Sequence, residues 1–256
     1  MSENPPFLSR QIALIGPEAT ERLRALRVMV VGLGGVGGYA VEALARCGVG
    51  ELILVDHDTV SESNRNRQII ALTTTVGRYK TDAFAERIAQ INPDCTVKAH
   101  PLFVTPDNLS ALLDESRPDW IIDAIDSVAG KCALAIEARE RAIPILASLG
   151  TGNKLCPERL CIGDLSKTRV CPLARVMRRE LKARGISHMQ VLWSDEEPSR
   201  WEESDRRTPA SISFVPPSAG LLLASHLVRA VIAGEEERYR IPTEERAREE
   251  IQPQRG

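Results

Sequence analysis

The stretch Arg27-Val-Met-Val-Val31-Gly32-Leu-Gly34-Gly35-Val-Gly37 decides the fold. Residues 27–31 show no polar alternation, as expected of a strand buried on both faces of a parallel sheet. Gly32, Gly34, Gly35 and Gly37 let the backbone turn sharply and approach a phosphate. The helix expected over residues 36–47 would add free N–H groups and a positive dipole end.

Working outward, further apolar runs lie at 51–55, 119–123 and 143–147. Helical patterns over about 76–91 and 129–141 precede the last two. Strand and helix alternate at the spacing of a doubly wound, mostly parallel, Rossmann-like α/β sheet. The sequence reads as one domain: a leading helix within 1–25, a nucleotide-binding core over 26–150, an extended C-terminal substrate-binding part over 151–234, and a charged tail over 235–256. In the third part a strand is expected near 159–162, a helix from Pro172 to about Arg184, an exposed polar loop over 194–211 flanked by Trp193 and Trp201, and a closing helix over about 218–233.

Asp56 ends the second strand, where a carboxylate can bond ribose hydroxyls. With the glycine loop alone, that would point to a nicotinamide dinucleotide enzyme. The next stretches change the reading: Asp56-His-Asp58-Thr-Val60, then Asn64-Arg-Asn-Arg67-Gln68, then Val76-Gly-Arg-Tyr-Lys80. ATP with a leaving pyrophosphate needs several cations, and Arg67 and Lys80 supply them. Asp123-Ala-Ile-Asp126-Ser127 ends the third strand at the same carboxyl edge. Asp126 should face the phosphates there as a Mg²⁺ ligand, although a helix-capping aspartate would look the same in sequence.

With 256 residues, 43% hydrophobic and 27% charged, the chain reads as a soluble globular enzyme. A net charge of −2 excludes attraction of RNA or anionic lipid by the whole molecule, so such contact requires a local patch. The helix after Pro172 offers one: Arg175, Arg178, Arg179 and Lys182 share a face, with Lys167 and Arg169 extending it. Cys47, Cys95, Cys132, Cys156, Cys161 and Cys171 form no Cys-x-x-Cys pair, which favours reduced, mostly buried thiols and no zinc. His226 reads as a satisfied core histidine. The start shows no secretory pattern, and the apolar stretch 219–233 is interrupted by Ser225, His226 and Arg229. A cytoplasmic protein with no membrane contact is expected.

The ordered series Gly-x-Gly-Gly-x-Gly, Asp-x-Asp-x-Val, Asn-x-x-Arg-Gln, Val-Gly-x-x-Lys and Asp-x-x-Asp resembles the adenylation fold of ubiquitin-activating enzymes and their bacterial relatives over about residues 7–150. Gln90–Cys95, Thr105–Asn108, Asp123–Val128, Asp164–Thr168, Ser194–Pro198 and Phe214–Pro216 extend the likeness. Over nearly the whole chain it resembles the tRNA threonylcarbamoyladenosine dehydratase family. Cys171 departs from the pattern, since some relatives carry aspartate before this proline, and no role is assigned to it.

The resemblance implies ATP and Mg²⁺ as cofactors and tRNA as substrate, cyclised to a hydantoin form through an acyl-adenylate. It implies that Asp56 and Asp58 face the ribose, that Asn64, Arg67, Gln68 and Lys80 line the triphosphate, and that Asp126 binds Mg²⁺. Arg10, in Phe7-Leu-Ser-Arg10, matches an arginine that reaches the phosphates from a partner subunit, which implies a homodimer; a sulfur-relay protein stays open as a further partner. Two alternatives also stay open: adenylation of the C-terminus of a ubiquitin-like sulfur-carrier protein, and a nucleotide-sensing adaptor without turnover.

Overall fold

The computed structural model describes residues 5–199, 201–202 and 209–242. The described residues form a seven-stranded sheet. Its strands are β1 (Arg27–Val31), β2 (Glu51–Val55), β3 (Thr96–His100), β4 (Trp120–Asp123), β5 (Ile145–Ser148), β6 (Leu160–Asp164) and β7 (Gln190–Ser194). They lie in the order β3-β2-β1-β4-β5-β7-β6, all parallel except β6, which runs antiparallel to β7.

The continuous apolar strands are explained by two cores, one on each face. Val28, Val30, Leu52, Leu54 and Ile122 point to one face, which is covered by α2 (Pro17–Arg24), α3 (Gly37–Arg46), α4 (Lys80–Ile91) and α8 (Val215–Ala233). Met29, Val31, Ile53, Val55 and Ile121 point to the other, covered by α5 (Pro106–Ser116), α6 (Val128–Glu140) and α7 (Pro172–Lys182).

Several expectations need correction. The leading helix is two helices, α1 (Ser9–Ile15) and α2, separated at Gly16 with Pro17 opening the second. The helix expected from residue 76 starts at Lys80, and the closing helix starts at Val215. α8 is long and apolar enough to cross a membrane by length and composition, yet Ala219, Leu223, Leu227 and Val231 are buried in the core. At Gly220 an added Cβ would stand 2.2 Å from the Val36 carbonyl oxygen, so α8 touches the chain entering α3 backbone to backbone.

β3 with α5, and β7, were not anticipated. β3 is an edge strand with no fully buried residue, so its sequence carries no apolar run. β7 supplies the start of the segment expected to be an exposed loop: Trp193 and Ser194 are buried in the sheet, whereas Trp201 is exposed. Residues 200 and 203–208 of that loop, and the tail from 243, lie outside the described residues. Of the six free cysteines, Cys132 and Cys171 are buried and the other four are half-buried, so the thiols are less enclosed than expected. His226 is satisfied by the Tyr239 hydroxyl at 3.3 Å. Burial first, then Arg229 and Arg238, push its pKa below the usual imidazole value.

Candidate active site

β1 stands between β2 and β4, where the strand order reverses, and ligands of open α/β sheets settle outside the carboxyl ends at that point. The glycine loop leaves β1 here. Gly32 has φ +90°, its N–H donates to the Val55 carbonyl at 2.8 Å, and a Cβ on it would meet the Ala124 carbonyl at 2.7 Å. A Cβ on Gly37 would stand 1.8 Å from the Gly32 oxygen. Side chains at these two positions would force the loop open.

In front of the loop lies a cavity of about 300 Å³. Gly32, Gly34, Gly35, Asp56, Asp58, Asn64, Arg67, Gln68, Lys80 and Asp126, each a candidate nucleotide contact, all line it. Gly37 does not line it and serves the loop's closure instead. His57 and Phe103 also line it, packed edge to face with centroids 4.8 Å apart. Phe103 was missed because it follows the unrecognised strand β3.

Asp56 is buried. Its Oδ2 accepts the Leu33 N–H at 2.6 Å and its Oδ1 the Asp58 N–H at 2.8 Å, which fastens the glycine loop to the end of β2. The Lys80 ammonium lies in the cavity wall, donating to Asp58 at 2.7 Å and to Asp56 at 3.5 Å. Partial burial raises the Asp58 pKa, but the hydrogen bond and charge of Lys80, with His57, outweigh it and hold the carboxyl below its ordinary value. Arg67 donates to the Ser63 carbonyl and to Asn66 Oδ1, both at 2.9 Å. Among the described residues it has no carboxylate partner, so its charge is available to an anion. Asn64 is held in a capping box with Ser61. Gln68 is buried with its Oε1 unpartnered, an acceptor awaiting a donor. Asp126 is exposed into the cavity, and its carboxylate has no partner among the described residues. Ser127, not Asp126, caps α6, accepting the Gly130 N–H at 3.2 Å.

A second cavity of about 570 Å³ adjoins the first. The two share Gly34, Gly35, Arg67 and Asp126 at their border. Ser148 at the end of β5 and the loop 149–154 after it line the second cavity, and Ser148 is tied to the Asp126 loop through a fully buried pair. Lys131 donates to Asp123 Oδ1 at 2.9 Å and to the Ser148 carbonyl at 2.6 Å.

Arg10 lies outside both cavities. Its neighbour Gln11 bonds the Cys47 carbonyl at 3.0 Å, at the C-terminal end of α3. α3 starts at the carboxyl edge of the sheet and runs back, so Arg10 sits at the opposite edge from its own chain's glycine loop. The expected basic stripe is partly committed to internal contacts. Arg178 is turned inward, donating to the Thr168 carbonyl at 2.8 Å and to its hydroxyl, which removes it from the free face. Arg169 pairs with Asp195 at 3.2 Å and Arg179 with Glu180 at 2.9 Å. Lys167, Arg175, Arg179 and Lys182 are exposed. Cys171 caps α7, accepting the Ala174 N–H on its sulfur at 3.5 Å, a position an aspartate could fill.

Comparison with known proteins agrees with this geometry. The ThiF family model matches residues 8–244. The chain is 42% identical over 235 residues to tRNA threonylcarbamoyladenosine dehydratase of Bacillus subtilis, covering 86% of this chain and 92% of that protein. The Escherichia coli tRNA N6-threonylcarbamoyladenosine dehydratase in complex with AMP superposes with a TM-score of 0.83 at 36% identity, covering 88% of this chain and 93% of that one. The same enzyme in complex with ATP gives 0.82 at 35%, covering 89% and 94%. The chain belongs to the ThiF family and, within it, to the tRNA threonylcarbamoyladenosine dehydratases.

Proposed function

We propose that this chain uses ATP to dehydrate threonylcarbamoyladenosine in tRNA to its cyclic hydantoin form through an acyl-adenylate. The observation that carries the reading is the junction of two cavities at Arg67 and Asp126: one is built for a nucleotide, and the other is large enough for a modified nucleoside.

A carboxylate is a poor electrophile. In the proposed reaction one of its oxygens attacks the α-phosphorus of ATP and pyrophosphate leaves. A nitrogen of the threonylcarbamoyl group then attacks the activated carbonyl, loses its proton to solvent, and expels AMP carrying the former carboxylate oxygen. The net change is ATP and nucleoside to cyclic nucleoside, AMP and pyrophosphate. Nucleophile and electrophile share one molecule, so proximity supplies much of the rate. The glycine loop N–H groups and Arg67 stabilise charge building on the phosphates. Lys80 adds a donor held in place by Asp56 and Asp58, which face the ribose, while Asn64 and Gln68 complete the lining.

Mg²⁺ fits the site, because the Asp126 carboxylate is free and carboxylate oxygens suit this hard cation. Asp56, His57 and Asp58 also bring ligand atoms within 4.8 Å of one another, but the first and third are engaged by Lys80. Asp126 would hold Mg²⁺, and the ion would supply neutralisation of charge on the triphosphate.

The same reading includes a homodimer. Arg10 is exposed at the far edge of its own subunit, so it reaches phosphates only by crossing to a second copy. It also includes a cytoplasmic site of action without membrane contact, supported by the packing of α8 into the core. Arg175, Arg179, Lys182, Lys167 and Arg169 are the proposed tRNA contacts.

The test is to incubate the pure protein with Mg²⁺, ATP and tRNA carrying threonylcarbamoyladenosine, then weigh the nucleoside after gentle digestion. ATP-dependent loss of one water is expected. An unchanged mass with retained ATP binding would refute the tRNA reaction and favour a carrier-protein substrate.

A further inference from the structure

Three lysines are at least nine-tenths buried among the described residues: Lys80, Lys131 and Lys154. Lys80 has Asp58 and Asp56, and Lys131 has Asp123. Lys154, 4% exposed, has no carboxylate within ion-pair distance among the described residues; its Nζ donates to the Glu196 backbone carbonyl. The Glu196 carboxylate is committed elsewhere, to the N–H groups of Leu155 at 2.8 Å and Cys156 at 3.0 Å. An ammonium carries three donors, and a buried charge without a counter-ion is costly.

Lys154 lines the second cavity, so an anion entering there would complete its shell. The walls of that cavity include Pro172, Pro198, Pro209 and Pro216, rigid apolar surfaces suited to the faces of a planar base. Its volume lies in the ordinary range for small-molecule sites. We propose that this cavity is the subsite for the modified nucleoside, with the adenine ring against the proline walls and Lys154 paired with an oxyanion of the substrate.

This inference rests on the proposed dehydratase reading. The oxyanion has two sources in one substrate: the threonylcarbamoyl carboxylate and a flanking phosphodiester of the RNA. Continuity with the nucleotide cavity favours the carboxylate, which has to reach the α-phosphate across the shared border.

The probes are free threonylcarbamoyladenosine, its methyl ester, and a threonylcarbamoylated RNA stem-loop, each tested with wild type, Lys154→Gln and Lys154→Arg. Lys154→Gln should weaken binding of the free acid nucleoside at least about tenfold, as expected on losing a charge-assisted bond, with AMP affinity unchanged and Lys154→Arg partly restored. Weakening with the stem-loop but not with the free nucleoside would assign the pairing to a phosphodiester. Unchanged affinity for both would overturn the proposal. Should Lys154→Gln fold poorly, wild type decides: it should bind the acid far better than the ester, and equal affinity would overturn the carboxylate pairing. If wild type binds AMP but neither binds nor converts any of the three probes, the dehydratase reading itself falls, and the subsite with it.

Discussion

Replacing Lys131 by Met removes the positive half of a pair with no solvent exposure on either side. Asp123 would keep its hydrogen bond from the Ile125 N–H at 3.2 Å, and its Oδ2 already lacks a partner. Breaking a buried pair from one side costs about 3–5 kcal/mol. At roughly 2–4 °C per kcal/mol for a domain of this size, the melting temperature should fall by roughly 6–20 °C.

The sign of the pH dependence follows from the cause. Burial raises the Asp123 pKa, and the charge and hydrogen bond of Lys131 work against that rise. Without Lys131 the folded-state value climbs further above the unfolded one. Between the two values the folded state then binds the extra proton, so stability falls as pH rises through that window, and the penalty is complete above the folded pKa. The variant's deficit should therefore be largest near neutrality and shrink as the solution is acidified towards the unfolded carboxyl value. Urea unfolding followed by tryptophan fluorescence, repeated at several pH values, measures this, with buried Trp120 beside Tyr239 as a core reporter. Lys131→Met combined with Asp123→Asn should recover most of the loss, since no bare charge remains. A cost of the single variant below about 1 kcal/mol, or a deficit that grows on acidification, would refute the reasoning.

Asp126→Ala should abolish pyrophosphate release from ATP while the fold survives, because this exposed side chain has no partner among the described residues; unchanged turnover would remove it from the mechanism. Arg10→Ala and Asp126→Ala should each be inactive alone, yet mixing and re-assembling them should restore about a quarter of wild-type activity, since half the dimers would be mixed and each would hold one intact site. No recovery on mixing would refute the crossing of Arg10. Neutralising Arg175, Arg179 and Lys182 to Gln should weaken tRNA binding and flatten its salt dependence by about 0.7–0.9 log unit for each phosphate left unneutralised, measured by filter binding from low to moderate salt. Arg178→Gln should lower stability through its Thr168 hydrogen bonds and leave the salt slope unchanged.

The candidate nucleotide site was legible because its residues carry local signatures: glycines at a strand exit, acids and amides at fixed spacing, and cations close behind. Of the glycines, acids, amides and cations expected there, all but Gly37 and Arg10 line one cavity. What stayed hidden depends on pairing across long separations. β7 reads as polar sequence at its Ser194 end, yet it is central to the C-terminal half of the sheet because β5 and β6 flank it. Lys154 looks like any loop lysine until the fold buries it beside the Glu196 carbonyl. Arg178 has the periodicity of a free basic face, and only the fold brings Thr168 to it. Resemblance added the substrate class and Arg10, which composition and spacing did not supply.

The contact between α8 and the start of α3 has a consequence for how the protein is made. A Cβ on Gly35 would stand 3.0 Å from Pro216, and Gly220 lies against Val36, so the first two turns of α8 brace the glycine loop. About 180 residues separate the loop from this brace. At roughly 5–20 residues per second, a growing chain would wait about 10–40 s between exposing one and supplying the other. During that interval the faces that later bury Leu223 and Leu227 are uncovered, and the glycine loop lacks its contact with α8. Nucleotide binding that needs this brace would follow synthesis of α8 rather than guide folding before it, and until then the apolar surface that α8 covers depends on other shielding.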